Sequence, residues 1–173
     1  MNRRLIATIA LAFVSLTNVH AQFDELKFKQ ALKLKKDFYI TEGAITGGDR
    51  TSNDFTVTNV RIAQNPAGFD RIVIDLAGNE HGNKTKLDRP PFFLVEADQK
   101  NKRVLVTVYG KPKLDFSAMS AIQSARKTKS IGGIEFIPLT EKDRWTWSIN
   151  TKTVAKAEVF ELTEPARIII DLK

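Results

Sequence analysis

Two six-residue runs decide the reading of this chain: Arg71-Ile72-Val73-Ile74-Asp75-Leu76 and Arg167-Ile168-Ile169-Ile170-Asp171-Leu172. Both are β-branched, and strand residues alternate between faces. Ile72, Ile74 and Leu76, like Ile168, Ile170 and Leu172, therefore predict one buried side each. The opposite side carries Arg71, Val73 and Asp75, or Arg167, Ile169 and Asp171. An arginine and an aspartate four apart on an outer face admit two readings. They form cross-strand charge pairs, worth roughly 0.2–1 kcal/mol each, or the arginines grip anionic groups.

Each run is the return strand of a hairpin. Residues 55–62 lead through Asn65-Pro66-Ala67-Gly68 to Arg71, and residues 92–97 lead through a polar turn to the run from Arg103 to Tyr109. Residues 131–139 precede the run that opens at Arg144, and residues 157–162 precede Arg167. Alternating apolar runs punctuated by Gly, Pro, Asn and Asp read as strands and turns. Arg71 and Arg144 lie 73 positions apart, Arg103 and Arg167 64 apart, so one gap brings the two pairs of hairpins into register as an internal repeat. Between the pairs, residues 117–127 carry Met119 and Ile122 at helical spacing among alanines, with Asp115 or Ser117 as cap, which predicts one short helix. The expected fold is all-β: two four-stranded halves packed as a pseudo-twofold β-sandwich about 10 Å thick, with that helix in the linker. Gly47-Gly48 and Gly132-Gly133 lack the framing of a phosphate loop and read as turn or bulge glycines.

The hairpin Val159-Phe160-Glu161-Leu162-Thr163-Glu164-Pro165-Ala166-Arg167-Ile168-Ile169-Ile170-Asp171-Leu172, with the looser match Phe69-Asp70-Arg71-Ile72-Val73-Ile74-Asp75-Leu76, resembles the AMIN domain. The resemblance covers residues 55–172, and the helix-bearing insert near residues 111–130 departs from it. It implies two symmetric four-stranded sheets and a non-catalytic module of bacterial envelope proteins, found beside cell-wall amidase domains and in secretin-type proteins. Such a module targets the envelope, in some cases by binding peptidoglycan.

Upstream, Met1-Asn2-Arg3-Arg4 is positive, residues 5–16 are apolar, and Val19-His20-Ala21 is a small-x-small cleavage site. This is the layout of a secretory signal peptide over residues 1–21, and its apolar run is too short to span a bilayer. Cleavage before Gln22 removes Arg3 and Arg4, leaving 25 basic against 20 acidic residues, a net charge of +5. The remaining 152 residues are enough for a free-standing core, hiding roughly 70% of their unfolded surface. No later run approaches a membrane span. Residues 22–54 read as a lysine-rich extension, in which residues 23–40 fit helical and strand periods equally. The expected location is the periplasm.

Composition then removes most chemistry. The chain has no cysteine, which excludes disulfides, iron–sulfur clusters and thiol catalysis. After cleavage His81 is the one histidine, too few for an amidase zinc site, and its glycine-bounded loop reads as solvent-exposed. No spacing of acids nominates a glycosidase pair. The expectation is a non-enzyme without cofactor or metal. Its candidate ligand-binding residues are Arg71, Arg103, Arg144 and Arg167, with Trp145 and Trp147. The tryptophans share one strand face and are either core filling or an outward platform for sugar rings. Lysines and arginines gathered in loops and hairpin ends, from Lys84, Lys86 and Arg89 to Lys100, Lys102, Lys111, Lys113, Arg126, Lys127 and Lys129, are either a solvated surface or an attraction to anionic wall or lipid. The expected partner is peptidoglycan or another anionic envelope polymer, not nucleic acid. The alternative is a periplasmic adaptor docking onto a secretin or other envelope complex through a sheet edge.

Overall fold

The computed structural model describes residues 38–137 and 143–173. The signal segment and most of the lysine-rich extension lie outside those residues. The described strands are β1 (Gly43–Gly47), β2 (Asp54–Asn65), β3 (Phe69–Glu80), β4 (Asn83–Thr85), β5 (Phe93–Asp98), β6 (Arg103–Tyr109), β7 (Lys111–Leu114), β8 (Ile131–Phe136), β9 (Arg144–Thr151), β10 (Ala157–Leu162) and β11 (Arg167–Leu172), with one helix, α1 (Ala118–Ala125), between β7 and β8. They form two sheets. The first has the order β1-β5-β6-β9-β8; the second has β10-β11-β3-β2-β7, with β4 paired to β3.

The chain is mostly β, as the alternating runs predict. The halves, however, are not the sheets. Each sheet takes one hairpin from each half: β2–β3 joins β10–β11, and β5–β6 joins β9–β8. The return strands meet at the middle of each sheet, β3 against β11 and β6 against β9, both antiparallel. Replacing each strand of the order β10-β11-β3-β2 by its counterpart in the repeat yields β5-β6-β9-β8, the order of the first sheet. The physical reason for the interleaving lies in register. With β3 beside β11, Arg71 faces Asp171 and Arg167 faces Asp75, so both arginines of the two defining runs find carboxylates that neither run could supply to itself.

The inward sides of the two sheets share one core. Ile72, Ile74, Leu76, Ile168, Ile170 and Leu172 come from the second sheet, as the alternation predicts. Val95, Val104, Val106, Val108 and Ile149 come from the first. Helix α1 packs against β2 and β8 and closes one side of the sandwich. Its N-cap is Ser117, whose Oγ accepts from the Ser120 N–H at 3.2 Å. The buried helix positions are Ala121 and Ala125, whereas Met119 is 62% exposed: small side chains let the helix approach the sheet edges closely. Glu161 joins the opposite side, accepting from the Gly48 N–H at 2.7 Å and from Arg89. Gly48 is obligatory there, because its φ is +83° and a Cβ would lie 2.2 Å from the Pro91 carbonyl oxygen.

Three strands escape the sequence pattern. β3 runs on to Glu80 and turns at His81-Gly82 into β4, where a polar loop is expected. β7 lies parallel to β2, and β1 pairs with β5, so the first sheet reaches upstream of residue 55. All three are short or polar and owe their conformation to a neighbouring strand. Gly132-Gly133 sits at the register shift in β8, the bulge its glycines predict.

The central pairing makes a sharp prediction. Asp171 is fully buried and takes a bidentate guanidinium from Arg71 at 2.7 and 2.8 Å. Asp171→Ala removes both of those bonds from a buried guanidinium, and the unfolding free energy from urea denaturation should fall by about 3–5 kcal/mol. A loss below about 1 kcal/mol would show that the pair does not anchor the second sheet.

Candidate functional site

The residues singled out from sequence go to different places. Arg71 is 8% exposed and is held by Asp171, with its guanidinium carbon 5.1 Å from the Phe69 ring centroid and 5.6 Å from that of Phe160. Arg167 Nε donates to Asp75 at 2.8 Å, and Arg61 holds the same carboxylate through two bonds of 2.9 Å. On this face the charge-pair reading is what the structure contains, with Arg71 buried and Arg167 half-buried. Trp145 and Trp147 are wholly buried and stacked on one another, centroids 5.6 Å apart, with Phe136 beside both. Their indole nitrogens make no hydrogen bond. The pair fills the core, and the outward-platform reading is corrected. Strand parity leaves open which side is inward; here Val104, Val106 and Val108 across the ladder place it.

Arg103 Nε donates to Asp98 at 3.0 Å within the β5–β6 turn. Arg144 stays on the outward side of the first sheet, opposite Tyr109. There it belongs to a row that crosses the sheet. Arg50 stands 4.9 Å from the Phe92 ring, Phe92 lies 5.3 Å from Tyr109, and the Arg144 guanidinium is 6.0 Å from the Tyr109 ring. Both aromatic rings are half-buried. The next row inward holds Thr107 and Thr146, whose hydroxyls are 3.1 Å apart. The sequence reading missed Phe92 and Tyr109. The available signal was parity: Tyr109 shares its side of β6 with Arg103, opposite the three valines.

The loop cations divide by end. Where β3 ends and β5, β7 and β11 begin, three are paired, Lys84 with Asp115, Lys86 with Glu164 and Arg89 with Glu161, while Lys111 and Lys113 on β7 have no carboxylate within salt-bridge distance among the described residues. The Lys84 ammonium, bonded to Asp115, holds that carboxyl below its usual range, and Glu164 raises Lys86. The other end is different. Lys100 and Lys102 in the β5–β6 turn, Arg126, Lys127 and Lys129 after α1, and Lys152 after β9 are all exposed. Among the described residues no carboxylate stands within salt-bridge distance of any of them.

Hydrogen bonds stitch these three loops together. The Thr151 N–H and hydroxyl both donate to the Lys102 carbonyl, at 2.8 and 2.9 Å. The Lys152 N–H donates to the Ser130 carbonyl at 2.8 Å, and its Nζ to the Thr128 carbonyl at 2.7 Å. Buried Asp70 accepts from the backbone of Lys129 and Ser130. The two acids at this end that contact the loops are thus engaged, Asp98 by Asn101 and Arg103 and Asp70 by backbone, and the lysines project from a fixed frame. An array of that kind attracts extended anions. Among the described residues there is no cluster of three metal-ligating side chains, and no helix is long and apolar enough to cross a membrane. No family model, curated protein or solved structure matches the chain.

Asp98 controls the turn that carries Lys100 and Lys102. It accepts from the Asn101 side chain at 2.8 Å, the Asn101 N–H at 3.1 Å and Arg103. Those bonds, the Asn101 side chain first, hold its carboxyl below the ordinary 3.8. A depressed carboxyl contributes stability above its unfolded value and loses it as pH falls through the folded one. A carbon-detected NMR titration should place the Asp98 midpoint below 3.8, with Asn101 amide exchange accelerating as the group protonates. A midpoint at or above that value would mean that the turn does not depend on this carboxylate.

Proposed function

We propose that the protein is an exported, non-catalytic cell-envelope binding module that contacts peptidoglycan through the basic end of its sandwich. One observation carries this reading: exposed cations gather on three stitched loops at one end with no carboxylate within salt-bridge distance among the described residues, whereas those of the β4–β5 region are paired with acids. Exposed charge pairs contribute roughly 0.2–1 kcal/mol each. Four lysines engaging wall carboxylates together supply about 1–4 kcal/mol, enough for recruitment to a polymer and screened by salt. The AMIN-like hairpin and the export signal support the periplasm as the place of action. The interleaved strand order supports descent from a duplicated four-strand unit, hence a pseudo-twofold sandwich.

The test is co-sedimentation of the signal-free protein with purified sacculi. Binding is expected at low ionic strength, weakening as salt rises. Replacing Lys100, Lys102, Lys127 and Lys129 by glutamine should weaken it about tenfold or more and flatten the salt dependence, with the thermal melt unchanged. Absence of co-sedimentation at low salt would overturn the wall-binding reading, and release of soluble muropeptides would overturn the non-catalytic one.

A further inference from the structure

The two sheets end in four edge strands, and three of them are protected against the addition of another strand. β7 carries Lys111-Pro112-Lys113, and both lysine and proline obstruct pairing at an edge. β8 is bulged at Gly132-Gly133 and packed by α1. β10 exchanges backbone hydrogen bonds with Ile40 at Ala157 and carries Glu158 and Glu161. The fourth edge, β1, has none of these devices. Its sequence is Gly43-Ala44-Ile45-Thr46-Gly47, without charge or proline, and it pairs with β5 in unbroken register. Gly43, Ala44 and Thr46 are exposed.

The ladder fixes which groups of β1 are open. The Tyr109 N–H donates to the Phe92 carbonyl at 2.9 Å, which makes these two residues a hydrogen-bonded pair. Alternation along β5 then turns the backbone of Leu94 and Glu96 toward β6, and that of Phe93, Val95 and Ala97 toward β1. The β1 partners of those three are Gly47, Ile45 and Gly43. The N–H and C=O groups of Ala44 and Thr46 therefore point away from the sheet, and among the described residues nothing bonds them. Ile45 shares its side of the sheet with Val95, yet it stays half-buried at the rim while Val95 is fully buried.

We propose that two copies of the chain join along β1 as antiparallel neighbours centred on Ile45, so that their first sheets become one continuous sheet. The open groups set this register. Ala44 of each copy meets Thr46 of the other and exchanges N–H···O=C bonds with it, and the two Ile45 side chains close on each other in the narrow pair between. Charge favours a second copy in this orientation. β1 brings no charge to the contact, and exposed Glu42 and Arg50 flank it at opposite ends. Antiparallel joining sets Glu42 of one copy beside the turn that carries Arg50 of the other, whereas parallel joining sets Glu42 against Glu42. The contact is independent of what the basic end binds, because β1 carries no lysine.

The test is sedimentation equilibrium of the signal-free protein from micromolar to millimolar concentration at physiological salt. A reversible monomer–dimer equilibrium is expected. Ala44→Lys with Thr46→Lys puts like charges opposite each other and should weaken the dimer about tenfold or more, with the thermal melt unchanged because both positions are exposed. Ala44→Lys with Thr46→Glu sets each lysine opposite a glutamate and should leave the dimer at least as tight as in the parent. The chain has no cysteine, so a disulfide formed by Ile45→Cys joins two copies, and oxidation should yield covalent dimer. A parent protein that stays monomeric throughout overturns the proposal, as does a dimer that the double lysine variant retains. If the lysine–glutamate variant dissociates like the double lysine variant, or Ile45→Cys fails to cross-link, the antiparallel register falls.

Discussion

The antiparallel contact between β3 and β11 organises everything else. Its register puts Arg71 on Asp171 and Arg167 on Asp75, and the first of these pairs is buried. A buried guanidinium or carboxylate without its partner is costly, so each of the two strands supplies what the other lacks. Once these strands are neighbours, hairpins from opposite ends of the chain share a sheet. The remaining return strands, β6 and β9, pair with each other in the second position of the same pattern. The interleaved order therefore follows from satisfying charge as well as from covering apolar faces.

The same arrangement separates the two ends of the sandwich. One end collects the His81-Gly82 turn, β7 and the β10–β11 turn, where each lysine or arginine of the β4–β5 region meets an acid from a distant segment. The other collects the β5–β6 turn, the segment after α1 and the segment after β9, which carry lysines and few acids. Backbone hydrogen bonds from Thr151 and Lys152 fix those segments without using the lysine charges of the first two. The ends differ because the β2–β3 and β5–β6 turns fall at one of them, whereas the β10–β11 turn, with Glu164, falls at the other.

Much of the β structure was legible from local pattern. Ile72, Ile74, Leu76 and their counterparts in β11 alternate with polar residues, and burial follows the alternation. Parity also identified Trp145 and Trp147 as sharing a side, but it cannot say which side is inward for a strand whose opposite residues are small and polar, such as Thr146 and Ser148. That choice is made by the neighbouring strand. Likewise, Arg71 and Arg103 occupy equivalent places in their hairpins, yet one is enclosed between two aromatic rings and the other sits on a turn.

Alternation, turn residues and composition determined by themselves that this is a β protein with repeated hairpins and a short helix, and that cysteine chemistry is absent, because these depend on residue identity and on contacts between near neighbours. Which hairpins share a sheet, which arginines are already held by aspartate, and which lysines are left facing solvent were decided only in three dimensions. Each partner lies tens of residues away, and strand register alone brings it to within hydrogen-bond reach.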